Sequence, residues 1–214
     1  MILFDFLIYF DLTFIIFFLG FASVNSAQSD LNVATSLPPL GNDPASVQWR
    51  KQTLDINKQN VVSQVSAHLA ATAAILNLTS VDPAKMDYNQ IGSNVSTISS
   101  NLAQLASGTK MIAALMEDAE ESEKLLEAAR KLASATSKML TESQPIIMGQ
   151  GNRQELLASA QGIGGASSQM LKVFFFSFFF FNPFLEHKGN KIKIKIKKIS
   201  IWEILMFQWL LNKN

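Results

Sequence analysis

Cysteine is absent from all 214 residues. This excludes a disulfide scaffold, a thiolate nucleophile and any metal site built on sulfur. Histidine is scarce, with only His68 and His187. Phenylalanine is plentiful but unevenly placed: all 16 lie in 1–21 or 174–207, and 22–173 holds none. The signature spacings of a phosphate loop (GxxxxGK[ST]), a zinc-protease helix (HExxH) and a nucleophile elbow (GxSxG) do not occur. The acidic run 117–123 has helical spacing rather than that of a calcium loop. Gly162-Ile163-Gly164-Gly165 sits inside a helical pattern with no strand before it, which argues against a nucleotide loop. His68, alone on a helical segment, reads as a packed or surface residue rather than a ligand or base. Neither enzymatic chemistry nor a bound cofactor or metal is expected.

What is present divides into three parts. Length suits one domain of ordinary size or two small ones. The formal net charge of +1 is a sum of unlike pieces: −2 over 1–21, −2 over 22–173 and +5 over 174–214. The middle piece contains 22 Ala, 20 Ser and 8 Thr. Small side chains at that density suit slim, closely packed helices, because sheets favour β-branched and aromatic residues.

Residues 1–21, MILFDFLIYFDLTFIIFFLGF, are strongly apolar. As a signal peptide they would place Gly20 and Ala22 at the −3 and −1 positions, but a basic start is missing and Asp5 and Asp11 interrupt the run. As a membrane span they would carry two Asp at ~2.5–3.5 kcal/mol each. Residues 174–181, FFFSFFFF, are too short to cross a bilayer. The alternating KIKIKIKKISI at 191–201 would put Lys on one face of a strand and Ile on the other. Phe, Ile, Lys, Asn and Tyr, the residues of A/T-rich codons, make up 11 of 19 residues in 1–19 and 26 of 41 in 174–214, against 27 of 152 in 22–173. The expected organisation is therefore an apolar leader (1–19), a helical unit (20–173) and a Phe/Lys/Ile-rich tail (174–214), both flanks reading as translated non-coding sequence.

Helical periodicity fills the middle. Over 82–116, Ile91, Val95, Ile98, Leu102, Leu105, Thr109, Ile112 and Met116 follow steps of four and three, opening at Asp82-Pro83. A second helix runs from Asp43-Pro44 to about Asn77, with Val47, Leu54, Val61, Val65, Leu69, Thr72 and Leu76 on one side. Before it, Leu37-Pro38-Pro39-Leu40-Gly41 is a rigid stop. Ala22–Thr35, with Val24, Ala27, Leu31 and Ala34, reads as the tail of a truncated first helix. A fourth spans about 119–144 and ends at Pro145, its stripe being Leu125, Ala129, Leu132, Thr136 and Met139. Its acidic start and basic continuation suit the helix dipole, and Glu127 and Lys131 form an i,i+4 pair worth ~0.3–0.5 kcal/mol. The fifth runs from an Asn152 cap to Lys172, with Leu156, Ala160, Ile163, Ser167 and Met170 inward. Such stripes, joined by short loops, predict an all-α, up-and-down five-helix bundle. Thr109, Thr136 and Ser167 occupy stripe positions where an aliphatic residue would add ~1.5–3 kcal/mol. Each hydroxyl can bond the carbonyl one turn back. The notches either make the bundle easy to open or simply fill tight spots.

Several blocks carry a family resemblance: Leu37–Ser46 (LPPLGNDPAS), Leu78–Tyr88 (LTSVDPAKMDY), Val95–Leu102 (VSTISSNL), 111–118 (MIAALMED) and 125–140 (LLEAARKLASATSKML). Together, over about Gly20–Val173, they resemble the talin family, most closely the first helical bundle of its rod. The resemblance implies a non-enzymatic cytoskeletal adaptor in the cytoplasm at cell–matrix junctions. Such adaptors link integrin adhesions to actin and recruit vinculin through rod helices hidden in bundles. Family vinculin-binding helices follow LxxAAxxVAxxVxxLI. Leu125, Ala128, Ala129, Leu132, Ala133, Met139 and Leu140 match that frame, with Leu for Val and Met for Leu, while Thr136 departs from its aliphatic position. The implied partner is the vinculin head, taken by helix 121–143; integrin and actin contacts would be indirect. Two other functions compete with this one. In the first, 1–21 is a signal or anchor and the sequons at Asn77 and Asn94 are used. In the second, the basic stretch 188–198 binds lipid or nucleic acid.

Overall fold

A computed structural model describes residues 2–33, 35, 37 and 41–180, with side chains within 15–174. Readings that fall on Ala34, Pro38–Leu40 or 181–214 lie outside the described residues; these include the KIKIKIKKISI strand and the basic stretch 188–198. Five long helices account for the fold: α1 (Ile2–Leu31), α2 (Pro44–Leu78), α3 (Tyr88–Leu115), α4 (Ala119–Ile147) and α5 (Arg153–Phe180). The only other regular element among the described residues is a 3₁₀ turn at Pro83–Lys85.

The stripes read from the sequence are the faces that pack. Ile91, Val95, Ile98, Leu102, Leu105, Thr109 and Ile112 of α3 are fully buried, as are Leu156, Ala160, Ile163, Ser167 and Met170 of α5. On α2 the buried residues begin at Val61, and Val47 is exposed, so its first turns stand at the margin of the core. The helices meet as two antiparallel hairpins, α2 with α3 and α4 with α5, and α1 lies against α3 and α4. A Cβ at Gly92 would meet Ile16, and one at Gly20 would meet Val95 and Ser99. Both α1 positions therefore advance in step with α3, so the two helices run parallel.

Three helix ends differ from expectation. Asp82 and Pro83 open the 3₁₀ turn, not α3; Asp82 accepts from the Ala84 amide and the turn stops at Met86. The α3 cap is Asp87, which accepts from the Gln90 amide at 3.0 Å. Pro145 does not end α4, which continues to Ile147. A proline that near the end forfeits one amide bond, and the closure is made by other groups. The Gly149 amide donates to Ile146 and the Gln150 amide to Pro145, with Gly149 at φ +76°. This is the Schellman pattern, and it needs a residue at ease in the left-handed region. Finally, α5 passes Lys172 without a break and buries Phe174.

The leader and α1 form one backbone helix. Phe17, Gly20, Val24, Ala27 and Leu31 are buried in steps of three, four, three and four, and Ile16 packs against the core. The helix expected to be short is thus thirty residues long, and its first part comes from the leader. An almost unbroken apolar run offers a core residue in any register, which lets it continue the stripe. Ile15, Phe18 and Leu19 face outward. Use of 1–21 as a cleaved signal or bilayer anchor is not favoured, because Ile16, Phe17 and Gly20 are engaged in the bundle.

Two glycines separate close packing from plain helix propensity. A Cβ at Gly20 would lie 2.8 Å from Val95 Cγ1 and Ser99 Oγ, whereas a Cβ at Gly165 meets nothing within 4 Å. Gly20→Leu is expected to lower unfolding stability by about 1–3 kcal/mol. Gly165→Ala is expected to raise it by about 1 kcal/mol, as removal of an interior helix glycine should. Urea unfolding of the two variants checks both signs.

Candidate functional site

Helix α4 is the most strongly amphipathic segment. Asp118 caps it by accepting from the Glu120 and Glu121 amides at 2.8 and 3.1 Å. Ser122 donates to the Ala113 carbonyl and so ties the start of α4 to the end of α3. The outward face is charged. Lys124 reaches Glu120 at 2.7 Å and Glu121 at 2.9 Å, and these bonds, that of Glu120 first, hold its ammonium above the usual lysine range. Arg130 pairs with Glu123 at 2.7 Å, two turns back, and Lys131 with Glu127 at 3.5 Å. Exposed pairs of this kind contribute little to stability. Their role here is to keep one side of the helix in water.

The other side is dry. Leu125, Ala128, Ala129, Leu132, Ala133, Thr136, Met139 and Leu140 are each at most 2% exposed. They form one ridge, and α4 packs on α5, α1 and α3. Ala128, Ala129 and Ala133 keep the ridge shallow. A Cβ at Gly162 of α5 would come 3.3 Å from Ala135, beside that ridge. The ridge also continues past the expected end, through Ser143, Ile146 and Ile147. The steps 139, 143 and 146 carried that signal, which the presence of Pro145 masked.

The hydroxyl positions are not equivalent. Thr136 donates to the Leu132 carbonyl at 2.8 Å, one turn back as expected. With its proton committed there, its oxygen accepts from His68 Nε2–H at 3.0 Å. Thr109 and Ser167, equally buried, have no hydrogen-bond partner. His68 is fully buried on α2, and Thr72 donates to its carbonyl at 2.8 Å. Burial lowers the imidazole pKa to about 4, with a smaller opposing pull from the Ile98 carbonyl. The ring is therefore neutral at physiological pH. The sequence marked Thr136 as a notch but contained no sign of its partner, because the pairing spans 68 residues.

An unpartnered buried hydroxyl costs about 1–3 kcal/mol, and a satisfied one leaves its partner stranded when removed. Thr109→Val is therefore expected to stabilise the chain by about 1 kcal/mol or more. Thr136→Val, which orphans the His68 N–H, is expected to destabilise it by about 1–3 kcal/mol. Thermal and urea unfolding distinguish the two. A common sign for both substitutions would mean that volume, not hydrogen bonding, governs these positions.

With this geometry in hand, similarity to other proteins gains meaning. Residues 18–171 match the family model described as the talin middle domain. Curated relatives include talin of Oscarella pearsei, 43% identical over 152 residues, which are 71% of this chain and 6% of that protein. Talin-1 of Gallus gallus is 45% identical and talin-2 of Homo sapiens 46% identical, each over 151 residues, again 70% of this chain and 6% of the relative. The chain thus spans about 6% of the length of the curated relatives it matches. The matched interval contains α2, α3 and α4 whole, about the second half of α1 and about two thirds of α5, up to Leu171. A helical bundle of talin-rod type, matched over most of its length, places the chain in the talin family.

Proposed function

We propose that this chain is an adaptor segment of the cytoskeleton, acting in the cytoplasm at cell–matrix junctions, and that α4 is its hidden partner-binding helix. The partner is the vinculin head. The recognising residues are Leu125, Ala128, Ala129, Leu132, Ala133, Thr136, Met139 and Leu140, within helix 121–143. Links to integrin adhesions and to actin run through the larger assembly to which such a segment belongs. The observation that carries this reading is the ridge itself: eight residues on one face of a capped helix, all buried, opposite a face of ion pairs. An amphipathic helix of this kind fits an apolar groove in another helical bundle. Membership of the talin family supports the choice of partner.

The mechanism follows from exclusion. While α1, α3 and α5 cover the ridge, no foreign groove can. Pulling the chain ends apart, or otherwise destabilising the bundle, frees α4, and the partner captures the freed state. The apparent affinity of the closed chain is lowered by the fraction that is open. The functional unit in this reading is 20–173, with 1–19 and 174–214 as flanks outside the inherited bundle. The match over 18–171 supports that division, and transcript reads that splice near residues 20 and 173 to other coding sequence would test it.

The helix reading is tested with a peptide of residues 121–143 and with the whole chain. The peptide is expected to bind vinculin head, and Leu132→Asp in the peptide to abolish binding. The whole chain is expected to bind at least tenfold more weakly than the peptide, because opening must come first. A peptide that fails to bind where an established vinculin-binding helix succeeds would contradict the proposal.

A further inference from the structure

The contact between α2 and α4 has a chemistry that the hidden-helix account does not use. His68 is the one histidine among the described residues, and it lies wholly inside the bundle. Its Nε2–H is bonded to Thr136, in the middle of the α4 ridge, while Nδ1 has no hydrogen-bond partner. We propose that His68 is a proton-operated latch on α4: neutral, it holds Thr136 and favours the closed ridge; protonated, it loosens that ridge for its partner. The regulatory half rests on the proposed function, and the stability half stands without it.

The physical case begins with what a second proton would meet. It would sit on Nδ1, which has no hydrogen-bond partner, and the Ile98 carbonyl of α3 offers the charged ring only partial compensation. Thr136 cannot act as a counter-ion, since its hydroxyl is neutral and its proton is already given to Leu132. The charged groups of the surrounding helices include Asp30 on α1, Asp55 and Lys58 on α2, Asp87 and Lys110 at the two ends of α3, Glu127, Arg130, Lys131, Lys138 and Glu142 on α4, and Glu155 and Lys172 on α5. None of these is buried. None contributes to the electrostatics of the imidazole, which are set by burial first and the Ile98 carbonyl second. Along α4, Lys138 is the charged residue nearest Thr136 in sequence, and Glu142 lies a further turn away. A charged imidazole would therefore be an unpaired ion in a dry site, and such sites respond by opening.

The direction is fixed by linkage. The ordinary imidazole value is 6.5 and the folded value about 4. Between these the unfolded or opened chain holds the proton more readily than the closed one. The latch contributes fully above pH 6.5 and is lost as pH falls toward about 4. A difference of that size corresponds to an unfolding constant raised on the order of a hundredfold at the acid end.

The test uses the full chain and its His68→Gln variant, which retains an N–H donor but cannot titrate. Urea unfolding is followed from about pH 7.5 to about pH 4, and the subtraction removes the carboxylates common to both chains. The expected result is a wild-type unfolding constant that rises on the order of a hundredfold more than that of the variant. Vinculin-head binding to wild type should strengthen along the same profile, corrected by the 121–143 peptide for the partner's own titration. Identical pH profiles for the two chains would overturn the latch. A histidine-dependent profile with no vinculin binding to either chain or peptide would overturn the partner reading and the regulatory half with it. Should His68→Gln fail to fold, NMR titration of the wild-type imidazole, assigned against His187→Gln, provides the readout. A ring still neutral near pH 5.5 is expected, and one titrating near 6.5 would overturn the latch.

Discussion

The α4 ridge can be covered only once. Its eight buried side chains are either packed on α1, α3 and α5 or available to something else. Every other feature of the molecule bears on that choice. In the proposed release, the charged outer face would keep the helix in water and the Asp118 cap would keep it helical, while the tie from Ser122 to Ala113 holds its first turn in the closed bundle. Burying a leucine or methionine contributes about 1.5–3 kcal/mol. In the proposed function a partner groove would have to recover that contribution from the same atoms, so closure and capture would compete for them.

Small and polar core residues set how easily the ridge is released. Alanine at three of its positions shortens the reach of α4 and lets neighbours approach closely. Thr109, Thr136, Ser167 and His68 place polar atoms where aliphatic groups would cohere better. Only the Thr136–His68 pair is hydrogen-bonded through its side chains. The orphaned hydroxyls lower overall stability, whereas the bonded pair localises an interaction between α2 and α4. This core is therefore both less cohesive than an aliphatic one and more specific about which helices are joined.

The helical stripes were legible because burial imposes a 3.6-residue period directly on residue type. The faces of α3, α4 and α5 followed from it closely, with Met116 just past the end of α3; on α4 it marked Leu125, Ala129, Leu132, Thr136 and Met139, while Ala128, Ala133 and Leu140 came from the family frame. Helix ends were less legible. Asp82-Pro83 and Asp87 offer the same capping chemistry, and only packing decides that the first opens a 3₁₀ turn and the second α3. Pro145 looked like a stop because its missing amide is visible in sequence, while the compensating bonds from Gly149 and Gln150 are not. The seating of α1 between α3 and α4 was hidden for another reason: a run that is apolar nearly throughout carries little phase. The His68–Thr136 contact joins two helices distant in sequence, and local pattern holds no record of it.

Hydrogen exchange on the whole chain with vinculin head tests the central claim most directly. If the ridge must leave its own bundle to be recognised, saturating partner should protect the amides of α4. Those of α3 and α5, their packing removed, should lose protection on the same titration. Protection of α4 with α3 and α5 unchanged would show recognition of a closed bundle and contradict the account.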